Sequence, residues 1–177
     1  MAEELFAQLV ELADRYRRSA RPLPAREEVA ETRTVVCFRV LGALVGVLLE
    51  ELDEVLEVPH CTRLPRVRSW VRGVANVRGK LMPVIDFASF LGGRLTAPPK
   101  RQRLLVVERR GIAAGLVVDE VLGMRHFRVD GYGEERAGVP PPLSPYVPGT
   151  FVLDGQRVPL FRPDALFASE EFLRVAA

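Results

Sequence analysis

The rhythm of apolar and polar positions changes once along the chain, near residue 33. Before it, Leu5, Leu9, Leu12 and Tyr16 recur at spacings of four, three and four, with Phe6 and Ala13 beside them. That period predicts an amphipathic helix over residues 3–18. Arg15, Arg17 and Arg18 gather at its C-terminal end, where cations suit the helix dipole. The segment RPLPAREE then breaks the pattern with Pro22 and Pro24, so residues 1–32 read as a helix on a Pro-containing tether. Two uses of its apolar stripe stay open: docking on its own domain, or contact with a partner.

From residue 33 to 177 the pattern is one of short apolar runs. TVVCFRV, ALVGVLL, KLMPVIDF, RLLVVER, IAAGLVVDEV, TFVLD and RVPLF are rich in β-branched residues and bounded by Gly, Pro or charge, which predicts strands. Only DFASFLGG and the tail DALFASEEFLRVAA carry helical spacing. The fold class is therefore all-β with short helices. VPPPLSPYVPG, residues 139–149, reads as a stiff loop leading into the strand at Thr150.

The strand region repeats itself. Asp53-Glu54-Val55-Leu56 recurs as Asp119-Glu120-Val121-Leu122, and each follows a Gly-x-x-x-Gly, Gly42/Gly46 and then Gly111/Gly115. Gly73-x5-Gly79-x3-Pro83 recurs as Gly149-x5-Gly155-x3-Pro159. The offset drifts from 66 to 76 residues, so the loops differ in length between copies. Two similar β-lobes of about five strands each follow.

The repeat also disposes of a nucleotide cradle at Gly73–Lys80. A phosphate loop needs four residues between its glycines, a hydroxyl after the lysine, and a helix next. Here five residues intervene, Leu81 follows Lys80, and a strand comes next. The second copy, GTFVLDGQRVP, keeps the glycines and proline without a lysine, so the glycines serve turns. Pro83 and Pro159 are expected where a strand meets an edge or a bulge.

Composition adds limits. A net charge of +2 is too small for a globally basic nucleic-acid binder. Cys37 and Cys61 lack metal-type spacing, and adjacent His60 and Cys61 on a strand would point to opposite faces, so no metal is expected. The start MAEELF lacks the positive charge of a signal peptide, and no apolar run approaches the roughly 18 residues of a membrane span, so a cytoplasmic protein without direct membrane insertion is expected. His60 and His126 have no nucleophile partner, and Asp53, Glu54, Asp119 and Glu120 read as solvated strand ends.

Charge does separate in the first copy. Residues 50–57, EELDEVLE, carry five acids, whereas residues 63–80 carry six bases and no acid. This favours docking of a partner by electrostatic complementarity, or pairing across adjacent strands within the chain. A different reading is a small β-barrel nucleic-acid binder that uses residues 63–80, with Trp70 stacking on a base.

RGVANVRGKLMPVIDF, LLVVERRGIAAGLVVDEVLGM and YVPGTFVLDGQRVPLF together resemble the CheW-like domains, adaptors of bacterial chemosensory arrays. The resemblance spans about residues 33–170; WVRGVANVRG and the N-terminal helix are most similar to PilI-type adaptors of twitching (type IV pilus) systems. It implies two intertwined five-stranded, SH3-like β-barrel lobes, no catalysis and no cofactor. It also implies an adaptor that couples the cytoplasmic hairpin tip of a methyl-accepting chemoreceptor to the regulatory domain of a CheA-type histidine kinase. Such arrays lie at the inner face of the membrane. The family's kinase contacts fall on Leu52, Glu54 and Gly73, and its receptor contacts on Arg78 and Leu81. Ile112, Ala114 and Leu116, on one strand face, would line a second wall of the receptor groove. Lys80 adds a charge beside it, and Glu54 is expected to pair with Arg78 across neighbouring strands.

Overall fold

Three hairpins are set by two-residue turns that only the left-handed backbone region allows. Arg78-Gly79 joins β4 (Val71–Val77) to β5 (Lys80–Asp86) with both residues at positive φ. Leu41-Gly42 does the same between β1 (Thr32–Val40) and β2 (Ala43–Leu48), and Arg110-Gly111 between β6 (Arg103–Arg109) and β7 (Ile112–Val118). Two consecutive left-handed residues match the right-handed twist of the flanking strands, and the glycine removes the steric cost at the second position. The computed structural model describes residues 31–136, 138–153 and 155–175; the helix expected over residues 3–18 and its tether lie outside the described residues. The remaining elements are β3 (Glu54–Glu57), α1 (Phe87–Phe90), β8 (Glu120–Arg128), β9 (Tyr132–Gly133), β10 (Gly149–Leu153), β11 (Gln156–Phe161), α2 (Pro163–Phe167) and α3 (Glu170–Leu173).

The strands form two sheets. Sheet one has the order β8-β1-β2-β11-β10-β9, and sheet two β3-β6-β7-β5-β4. The repeat explains both. Strands β1, β2, β3, β4 and β5 recur as β6, β7, β8, β10 and β11, and exchanging each strand for its repeat partner turns the first five positions of sheet one into sheet two. Each half of the chain therefore lends its first hairpin to the other half's sheet, which makes the lobes intertwined. The parallel contacts obey the same rule: Val84 pairs with Gly115, and Leu160 with Gly46. Pro83 and Pro159 stand one residue before these contacts begin, where the missing N–H interrupts no ladder on that side. Sheet one carries a sixth strand, the short β9, beyond the five expected.

β1 and β6 are apolar runs because both their faces are buried. Val35 and Cys37 point into the small core of the first barrel, with Phe127, Phe151 and Val158, whereas Val36, Phe38 and Val40 point into a larger core between the lobes. Leu104 and Val106 fill the second barrel with Met82 and Val84, whereas Leu105 and Val107 face the inter-lobe core. Successive strand residues face opposite ways, so a strand between two cores loses the polar half of its alternation.

The inter-lobe core is closed by short helices. Asp86 caps α1 by accepting from Ser89 N at 2.9 Å. The segment expected to be a stiff loop is a 3₁₀ helix, Pro141–Tyr146, that inserts Leu143 and Tyr146. Ser169 caps α3, which seats Phe172 against Trp70 with stacked rings 6.2 Å apart, while Phe90 meets Trp70 edge-on at 5.2 Å. Trp70 is thus only 8% exposed. It cannot be the stacking platform of a nucleic-acid site, which corrects that part of the alternative reading: an indole this buried serves the core.

Candidate partner-docking site

Of the residues expected to meet partners, Glu54, Gly73, Arg78 and Leu81 lie on or between β3, β4 and β5 of sheet two. β3 and β4 are the outer strands of that sheet, and the chain beyond β3 curls back onto β4. Thr62 N donates to Val74 O at 2.8 Å and Val74 N to Thr62 O at 2.9 Å. Gly73, at φ +141°, lies directly beneath, and a Cβ there would overlap the Thr62 carbonyl. In sheet one Gly149 is likewise crossed by Tyr132 and Gly133, which pair with β10 and close the first barrel. Gly73 therefore acts by letting the 59–63 segment cross over it.

At the β4–β5 tip, Arg78 forms an ion pair with Glu54 of β3. The pair expected from the sequence is present, and it joins the two outer strands rather than two adjacent ones in the sheet. The Arg78 side chain is 78% exposed and Glu54 20%. Lys80 Nζ lies 2.7 Å from Glu108 Oε2, and Glu108 N donates to Asp53 Oδ2 at 2.6 Å. The Glu108 carboxylate, as hydrogen-bond partner and as charge, raises the Lys80 pKa. Both tip cations are thus answered within the chain. Leu81, next to Lys80 on β5, is 72% exposed.

Leu52 is half-buried against the inter-lobe core, in the crossover that leads from β2 into β3. Ile112 is exposed at the start of β7. Ala114 and Leu116 do share its face, but that face turns into the inter-lobe core, where they are 1% and 0% exposed. They cannot line a groove wall; of the three, only Ile112 is exposed.

Charge pairing between residues 50–57 and 63–80 is limited to Glu54–Arg78. Glu50 pairs with Arg33 at 3.2 Å and Glu51 with Arg162 at 2.7 Å. Arg72 contacts Asp86 at 3.1 Å and Gln102 Oε1 at 3.2 Å. Arg63, Arg66 and Arg68 have no carboxylate within salt-bridge distance among the described residues. A cleft of about 730 Å³ opens there, lined by His60, Arg63, Leu64, Val67, Arg68 and Arg72 among others.

Two acids are buried, and one of them, Asp119, departs from the expectation of solvated strand ends. Asp119 is buried: its Oδ1 accepts from Ala97 N at 2.7 Å, from Thr96 Oγ1 at 3.2 Å and from Thr96 N, and so anchors the loop before β6. Glu51, which the sequence did not single out, is buried beside Arg162; burial outweighs that arginine and raises its carboxyl pKa. A partner 111 residues away leaves no local signal. Cys37 and Cys61 are free thiols, each with its pKa raised mainly by burial. No group of three His, Cys, Asp or Glu suited to a metal occurs among the described residues, nor a helix long and apolar enough to cross a membrane.

The duplicated barrels, their crossed glycines and this charged tip are the frame into which a known sequence profile falls: residues 34–171 match the CheW-like domain. The chain belongs to the CheW-like family. Among CheW-like relatives, Protein PilI of Pseudomonas aeruginosa is 42% identical over 171 residues, covering 97% of this chain and 96% of that protein. Protein FrzA of Myxococcus xanthus is 38% identical over 108 residues, 61% of this chain and 64% of FrzA. The crystal structure of the scaffolding protein TtCheW from Thermoanaerobacter tengcongensis superposes with a TM-score of 0.69 at 26% identity, covering 80% of this chain and 96% of TtCheW. The intertwined CheW-like architecture thus extends to a solved scaffold.

Proposed function

We propose that the chain is a non-catalytic adaptor that couples chemoreceptor tips to a CheA-type histidine kinase in an array controlling type IV pilus twitching. The near full-length likeness to PilI supports the pathway. The observation that carries the two-sided reading is the tip of sheet two. An apolar side chain stands free on it, Leu81, flanked by cations already neutralised.

A helical hairpin needs an apolar contact with a few fixed polar anchors. Leu81 and Ile112 supply the first, and Arg78, with its planar guanidinium, the second. For the kinase, the contacts would be Leu52 and Glu54, with Gly73 letting the chain beyond β3 cross β4 and close the barrel. Because Glu54 and Arg78 bind each other, each fixes the other's position for its own partner. The array would hold the chain at the inner face of the membrane through the receptors.

Reconstitution tests the proposal: receptor signalling fragments, kinase and the chain are combined, and kinase autophosphorylation is followed. Receptor control of the kinase that appears only with the chain supports the adaptor role. Control that is the same with and without it sinks the reading.

A further inference from the structure

The cleft along residues 58–72 has a cationic half and an apolar half. Its volume of about 730 Å³ falls within the roughly 300–1,000 Å³ of small-molecule sites. Arg63, Arg68 and Arg72 line it together with the Ser69 hydroxyl, and no Asp or Glu does so among the described residues. Arg63 and Arg68 are exposed. Arg72 is held in place from behind: its Nη2 contacts Asp86 Oδ2 at 3.1 Å and Gln102 Oε1 at 3.2 Å. Gln102 is itself buried and donates from Nε2 to Ala97 O at 2.8 Å, which orients its carbonyl toward the arginine. A guanidinium also carries N–H donors on Nε and Nη1, and at Arg72 these remain for a ligand. The apolar half is made by Val58, Leu64, Val67 and Val71, of which Leu64 is 41% exposed.

We propose that this cleft binds a nucleoside polyphosphate, with its phosphates on Arg63, Arg68 and Arg72 and its base against Leu64 and Val67. Planar guanidinium forks match phosphate oxygens in pairs and hold them more strongly than neutral donors do. Because Arg72 is already ordered, binding costs less conformational freedom than three loose side chains would require. The backbone argues against an extended peptide as the occupant. Thr62 is paired with Val74, Arg68 N donates to Val175 O at 3.0 Å and Val71 N to Arg68 O at 2.9 Å, so no strand edge is free at these residues. The lining stops at Arg72, short of the Gly73–Lys80 turn, so the site owes nothing to the glycines rejected above as a phosphate loop. The inference concerns a ligand and goes beyond the kinase and receptor reading.

Calorimetric titration of the full chain with ATP, and separately with tripolyphosphate, tests it without kinase or receptor present. Its failure would therefore leave the adaptor reading untouched. The wild type is expected to bind ATP saturably at one site and tripolyphosphate more weakly. Arg63→Ala/Arg68→Ala, at exposed positions, is expected to weaken both ligands about tenfold or more, as the loss of charge-assisted hydrogen bonds requires. Leu64→Ser is expected to weaken ATP while leaving tripolyphosphate unchanged. Arg125→Ala/Arg136→Ala removes as much charge from exposed positions outside the cleft and is expected to match the wild type. A thermal melt of each variant confirms the fold. No saturable binding of ATP by the wild type would overturn the proposal. So would equal weakening by the two arginine pairs, tripolyphosphate binding as tightly as ATP, or a single-stranded oligonucleotide binding more tightly than either.

Discussion

Leu81→Ala separates binding from folding more cleanly than any other change at the tip. In the free chain the side chain is 72% exposed, so its loss removes little packing, and the folding cost should stay within about 0.5 kcal/mol. In a complex that covers it, three carbons are newly withdrawn from water. At about 0.8 kcal/mol per methylene this is roughly 2.4 kcal/mol; scaled by the fraction still exposed, about 1.7 kcal/mol remains. That converts to a weakening of roughly 20-fold in Kd. Fluorescence anisotropy with a labelled receptor hairpin fragment reads the affinity, and a thermal melt of the same sample reads the fold. Because both neighbouring cations are internally paired, the effect should change little with salt. Unchanged affinity for the fragment would refute the assignment of Leu81, and a large fall in melting temperature would refute the claim that the residue is free.

Three further outcomes follow from the packing and the charges. Gly73→Ala should destabilise the fold by about 2 kcal/mol or more, since a Cβ there overlaps the Thr62 carbonyl and the backbone is left-handed; a urea midpoint equal to the wild type would contradict the closure of the barrel over it. Phe172→Ala should cost about 3–5 kcal/mol in chemical denaturation, because it opens a cavity against Trp70, Phe90 and Phe167. Burial raises the Glu51 pKa above its ordinary 4.5. The folded chain therefore keeps a proton that the unfolded chain has lost, and this contribution, full below pH 4.5, is lost as pH rises through the folded value. Glu51→Gln should remove that decline; wild-type and variant stability curves that run parallel from acid to neutral pH would contradict it.

The turns and the duplication were legible in the sequence because both are local: a two-residue turn with glycine second, and two motifs that recur with their spacing. The exchange of hairpins was not, since nothing near Gly46 marks Leu160 as its neighbour. The resemblance to CheW-like domains supplied it. Ala114 and Leu116 show where periodicity stops. Alternation placed them on one face with Ile112, but a strand buried on both sides offers no polar residue to say which face is wet. Asp119 fails for a related reason. Its likeness to Asp53 suggested a solvated end, yet the loop before β6, distant in sequence, supplies the donors that make burial tolerable. Glu54–Arg78 was foreseen because the charge runs are close in sequence and the hairpin tip brings one back to the other.

The adaptor claim meets its most direct test in calorimetric titration of the intact chain with the cognate kinase regulatory domain and, separately, with the receptor hairpin fragment. Leu81→Ala and Glu54→Gln run alongside. The account predicts saturable binding to both partners, with Leu81→Ala weakening the receptor fragment while sparing the kinase domain, and Glu54→Gln weakening the kinase domain. Binding to neither partner by folded protein, or equal losses for both partners with both variants, would contradict it.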